Sequence, residues 1–192
     1  GVVELVNDVT ESVVIPADKI VNLKLNGHTL TAAASHAIEN KGNLSLFGPG
    51  TVDCNTPKKT ALLNTGTAKL SGNVELTRSA DTAETTAANS GYVILNYMDM
   101  EIIEANVHVA SHASSLVSNG WYDTKTAGEN DKATMIIRAG TFTGGMSNIK
   151  NDELGELTVY GGTYSDAKIN EEGFGGNQAI QNWHILTIED GT

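Results

Sequence analysis

Asp99 and Glu101 stand two residues apart, so in an extended segment both carboxylates leave the same face. Asp53 and Glu104 are further acids set in apolar, strand-like runs. Two or three carboxylates held together, one of them kept protonated, make up the apparatus of glycoside hydrolysis. Trp121-Tyr122, with Asp123 and Asp131 close by, points to a different chemistry. Adjacent aromatics can stack on a sugar ring while the carboxylates take its hydroxyls; the alternative is that Trp121 folds back over the chain beneath it. His108 and His112 have the i, i+4 spacing that would serve a metal on a helix. On a strand they stand about 13 Å apart and cannot share an ion without a bend. No metal and no cofactor is therefore expected. Cys54 is the single cysteine, and Gly-x-Ser-x-Gly and phosphate-cradling loops are absent.

What would position these groups is a repeat. Asn40, Asn64, Asn96, Asn119, Asn151 and Asn182 each have an aliphatic residue two places earlier. After each asparagine comes an apolar i, i+2 pair, such as Leu44/Leu46, Met100/Ile102 and Leu157/Val159. A glycine turn follows, as in Gly50-Thr51-Val52, Gly140-Thr141-Phe142 and Gly162-Thr163-Tyr164. One strand, an Asn corner, a second strand, a Gly corner and a third strand compose one coil of a solenoid. The pattern predicts an all-β fold, a single-stranded right-handed parallel β-helix of about six coils, rising roughly 30 Å at the inter-strand spacing. Its asparagines would pass amide hydrogen bonds from coil to coil as a structural ladder. A β-sandwich or jelly roll also supplies short strands and Gly turns, but it requires no residue-by-residue repeat.

The whole of residues 1–192 reads as one domain. Residues 1–35 hold the leading strands and first coil, with an Asn26-Gly27 turn between two strands; residues 36–192 hold the ladder coils. Inserts lengthen the coils at 79–90, 120–133 and 165–177. The first and third leave after Gly corners, on the same edge and about three coils apart; the second leaves from an Asn corner. Loops on a rigid scaffold are where solenoids place recognition.

The net charge of −11, with two arginines, Arg78 and Arg138, speaks against nucleic acid and anionic membrane, which need clustered cations. No run of 18 apolar residues exists, so no membrane insertion is expected. The chain begins at Gly1, as a processed or excised protein would. It ends at Thr192 part-way through a coil, which leads one to expect more protein or another chain at that end.

The run from Val14 to Cys54 (VIPADKIVNLKLNGHTLTA, then HAIENKGNLSLFGPGTVDC) resembles the opening coils of pectate-lyase-like β-helix domains of Gram-positive surface proteins and phages. Arg138-Ala139-Gly140-Thr141-Phe142 and Tyr160-Gly161-Gly162-Thr163-Tyr164 resemble their GGTF coils. The resemblance covers most of residues 11–192. It implies a non-catalytic structural or attachment module, extracellular, on a cell surface or virion, presenting loops to a host-surface glycan or receptor. It also implies assembly with other structural chains, as a homo-oligomer (a trimer foremost) or within a longer chain. The alternative function is a polysaccharide lyase or glycoside hydrolase. Against it, the Asp-Asp pair, Gly-His-Gly and Arg-x-Lys signatures of polygalacturonase-like enzymes are missing, and neither arginine has an acidic cluster beside it in sequence.

Overall fold

The computed structural model describes residues 1–81, 91–121, 131–169 and 177–189. Among them the regular structure is entirely β, and every pairing between named strands is parallel. Three sheets run the length of a right-handed β-helix. Sheet A stacks eight strands: β1 (Val2–Glu4), β4 (Ile20–Lys24), β7 (Asn43–Phe47), β10 (Thr67–Ser71), β13 (Asp99–Ile102), β16 (Ala133–Ile137), β19 (Gly155–Val159) and β22 (Ile185–Ile188). Sheet B stacks β2 (Val9–Thr10), β5 (Thr29–Thr31), β8 (Thr51–Asp53), β11 (Val74–Thr77), β14 (Ala105–His108), β17 (Thr141–Thr143) and β20 (Thr163–Ser165). Sheet C stacks β3 (Val13–Ile15), β6 (Ile38–Asn40), β9 (Leu62–Asn64), β12 (Ile94–Asn96), β15 (Val117–Asn119), β18 (Ser147–Asn151) and β21 (Gln178–Asn182).

The chain visits the sheets in the order A, B, C, making seven full turns and one further strand. The asparagine count leads to about six. The additional turn is the first, where Ile15 pairs with Asn40 and stands in the ladder position, so the sequence signal is missing there. Asn26-Gly27 is a turn with both residues at positive φ, but it joins sheet A to sheet B within one coil instead of closing a hairpin.

Alternation within each strand builds the core. Leu23, Leu46, Leu70, Ile102, Ile137 and Val159 form one inward column of sheet A, in register from turn to turn. Ile38, Leu62, Ile94, Val117 and Ile149 do the same in sheet C. Each such buried aliphatic side chain contributes about 1.5–3 kcal/mol of transfer free energy. Under sheet B the aromatic position of the GGTF coils turns inward, and Phe142 stacks on Tyr164 at 5.1 Å. Burial pushes the Tyr164 phenol up to about 12.

The ladder runs along the corner between sheets C and A. Each amide donates to the next: Asn40 to Asn64, Asn64 to Asn96 and Asn96 to Asn119 at 2.7 Å, then Asn119 to Asn151 at 2.8 Å and Asn151 to Asn182 at 2.7 Å. The same Nδ2 groups donate to backbone carbonyls of the following sheet A strand, for example Asn64 to Asp99 O and Asn96 to Thr134 O, both at 3.0 Å. The ladder amides are therefore satisfied within the corner, which is rigid for that reason.

Candidate functional site

The residue after each ladder asparagine lies on the outside of this rigid corner: Lys41, Thr65, Tyr97, Gly120, Asp152 and Trp183. Two of these six are aromatic, and a third aromatic arrives through Gly120. That glycine has φ +104, and a Cβ on it would stand 2.6 Å from the Glu153 carbonyl oxygen, so a side chain there is excluded twice over. The turn aims Trp121 at the neighbouring rung, where its N–H donates to Glu153 O at 2.9 Å in an isolated antiparallel bridge. The Trp121 ring then lies against Tyr97, centroids 4.5 Å apart and planes tilted by 33°. Its Nε1 is buried and has no hydrogen-bond partner among the described residues. Burial, and after it the negative charge of Asp152, raises the Tyr97 phenol.

Asp152 is the polar centre of the corner. Its carboxylate accepts from Ser118 Oγ at 2.9 Å and pairs with Lys150 Nζ at 2.9 Å. Both side chains of the ion pair are nearly inaccessible, although Ser118 and Lys150 sit in the outward-facing column of sheet C. On the far side of the Asn151 rung, the Trp183 N–H donates to Asn151 O at 2.8 Å, and 61% of Trp183 is exposed. Among the described residues, Trp183, Lys150, Asp152 and Glu153 line a cavity of about 210 Å³.

Of the predicted contact residues, Trp121 therefore lies at this corner, packed on Tyr97 as well as bordering the site. Asp131 is half-buried just ahead of β16. Tyr122 and Asp123 lie outside the described residues, as do most of the three inserts. Trp183 is exposed to solvent and lines the cavity.

Of the candidate catalytic carboxylates, only Asp99 and Glu101 are brought together, lining one cavity with Lys69, Thr134 and Arg138. Asp99 and Glu101 are on the outer face of sheet A, Asp53 is on sheet B, and Glu104 is at the corner between them. Asp53 cannot join the other pair by stacking, because coils stack strand on strand within one sheet. Glu101 lies between Arg138 Nε at 2.5 Å and Lys69 Nζ at 3.0 Å, and their hydrogen bonds, Arg138 first, hold its pKa below the usual range. A carboxyl held ionised in this way is unsuited to act as the general acid. Asp99 accepts from Thr134 Oγ1 at 2.6 Å, and Asp53 from the Ser79 hydroxyl at 2.6 Å.

His108 and His112 serve separate neighbours. His108 is within hydrogen-bond distance of Glu75 at 2.7 Å, and His112 of the Asp166 carbonyl at 2.9 Å. No group of three or more His, Cys, Asp or Glu side chains among the described residues is placed to hold a metal ion. Arg78 is buried beside Cys54 and makes a bidentate pair with Asp81 at 2.8 and 2.9 Å, fastening the root of the 79–90 insert. Burial alone would lower the Arg78 pKa, but the hydrogen bonds and charge of Asp81 outweigh it and raise it. Burial raises the Cys54 thiol, which makes it a poor nucleophile.

Comparison with known proteins returns no matching family model, curated protein or solved structure. The geometry alone must carry the functional reading. Aligning the six asparagines and reading the next position was the signal that could have gathered Tyr97, Asp152 and Trp183 from sequence.

Proposed function

We propose that this chain is a non-catalytic attachment module, a β-helical scaffold that presents a glycan-contacting corner at a bacterial cell surface or on a phage particle. One observation carries the proposal: both tryptophans of the chain and Tyr97 gather on one rigid corner, beside the Asp152 and Glu153 carboxylates. An open aromatic face next to fixed hydrogen-bonding groups is the chemistry of sugar recognition, the ring giving area and the polar groups giving orientation. The ladder supports this reading because it holds that corner in place without ligand, so little ordering cost falls on binding. The resemblance to surface and phage β-helix domains supports the location, and with it assembly into a homo-oligomer, a trimer foremost, or into a longer fibre.

The test is retention on immobilised pectins, alginates and host-type glycans, with the eluates assayed for new reducing ends and unsaturated sugars. Retention of the intact protein on at least one of these glycans without product, lost in Trp183→Ala, is the expected outcome. Release of cleaved or unsaturated oligosaccharides would replace it with the polysaccharide lyase or glycoside hydrolase reading. Failure to be retained by any glycan would remove sugar recognition from the account.

A further inference from the structure

Building on the glycan-attachment reading, we propose that the cavity between Trp183 and the Asp152–Glu153 corner is a subsite for an amino sugar with a free, protonated amine. The polyuronates, pectin and alginate, are then the wrong ligands for it. Three properties of the cavity lead there.

Its size is one. About 210 Å³ is below the roughly 300–1,000 Å³ of pockets for drug-sized ligands, and suits a single ring. The platform is another. The Trp183 backbone N–H donates to Asn151 O, so the strand that carries the exposed indole is tied to the ladder rung beside the carboxylates.

Charge is the third and decides the class. Lys150 and Asp152 pair at 2.9 Å with both side chains nearly buried, so together they offer hydrogen-bonding atoms and no net charge. Ser118 Oγ already donates to Asp152, which further fixes that carboxylate. Glu153, by contrast, is exposed and has no cationic partner among the described residues. On sheet A, Glu156 is likewise matched by Lys132 at 2.9 Å. Among the described residues the mouth of the cavity therefore carries one negative charge without a cationic partner, on a chain whose net charge is −11. A uronate carboxylate brought to Trp183 meets a like charge. A neutral ring gains stacking only. A ring bearing an ammonium group gains stacking and a charge-assisted hydrogen bond to Glu153.

Isothermal titration and tryptophan fluorescence with three oligosaccharides of equal length would test this: β-1,4-linked glucosamine, its fully N-acetylated form, and oligogalacturonate. The free-amine oligomer is expected to bind about tenfold tighter than the N-acetylated one at low salt, and oligogalacturonate least of all. At about 1 M salt, where the screening length is about 3 Å, the first two should converge. Glu153→Gln, at an exposed position, should abolish the tenfold preference between the two glucosamine forms and leave the melting temperature unchanged. Trp183→Ala should abolish both. Equal affinity for the two glucosamine forms, tighter binding of oligogalacturonate, or a preference that survives Glu153→Gln would overturn the amino-sugar assignment while leaving glycan attachment standing. Absence of binding by all three, with retention on none of the immobilised glycans, would overturn attachment itself.

Discussion

Replacing Asn96 by alanine should cost far more than replacing Asn182, although both occupy the same ladder position. Asn96 is fully buried, accepts from Asn64 at 2.7 Å, and donates to Asn119 Oδ1 at 2.7 Å, Met98 O at 2.8 Å and Thr134 O at 3.0 Å. Its amide has two protons for those three acceptors, so about three full hydrogen bonds are lost in the variant. At about 1 kcal/mol net for each, with buried acceptors left unpaired, the loss is about 3–5 kcal/mol. For a chain of this size that lowers the melting temperature by about 6–20 °C. Asn182 is exposed, accepts one ladder bond from Asn151 and, among the described residues, donates at 3.2 Å to His184 O alone, so Asn182→Ala should cost about 1 kcal/mol or less. Urea unfolding followed by circular dichroism at the β minimum measures both. If the two variants unfold within about 1 kcal/mol of each other, the ladder is not the source of the corner's stability and the reasoning fails.

Other expectations follow from the same geometry. Asp81→Ala strands the buried Arg78 guanidinium and should destabilise by about 3–5 kcal/mol, whereas the double variant Arg78→Met/Asp81→Leu should recover most of that; urea midpoints decide it. Stability should fall in two stages as pH drops. Burial depresses the His36 pKa, so its contribution is present above the ordinary histidine range, about 6.5, and is lost as pH falls through the lower folded value. Hydrogen bonds from Arg138 and Lys69 depress Glu101, and bonds from Lys24, Lys132 and Lys168 depress Glu4, Glu156 and Asp166. Their contribution is complete above the ordinary carboxylate range, about 4, and disappears below it. Glu101→Gln should flatten only the acid stage of a melting-temperature profile. Cys54 should resist a thiol-reactive dye in the folded protein and react once unfolded, since it is fully buried.

The architecture was legible because a β-helix writes itself residue by residue. Each asparagine must meet the one below it, and each i, i+2 pair must face the core, so the pattern survives inserts of any length. The first turn carries no ladder asparagine because Ile15, which donates nothing from its side chain, fills the place where the ladder stops. The site was harder to read for a physical reason: proximity in a solenoid runs across turns, not along the chain. Tyr97, Trp121, Asp152 and Trp183 share one corner only after the coils are stacked, and Trp121 meets Glu153 only because Gly120 turns it onto that residue's carbonyl. The carboxylates misled for the converse reason. Asp99 and Glu101 do share a face, but basic neighbours one strand away, invisible in the local sequence, occupy Glu101.

Recognition of a glycan at the aromatic corner is most directly tested by following the indole N–H resonances. The chain has two tryptophans, so the spectrum contains two such signals, assignable with Trp121→Phe and Trp183→Phe. Titrating in the free-amine and N-acetylated glucosamine oligomers in turn, the account predicts that the Trp183 indole shifts, together with the backbone amides of Asn151, Asp152 and Glu153. Shifts confined to the outer face of sheet A around Glu101 and Arg138, with neither indole moving, would contradict it.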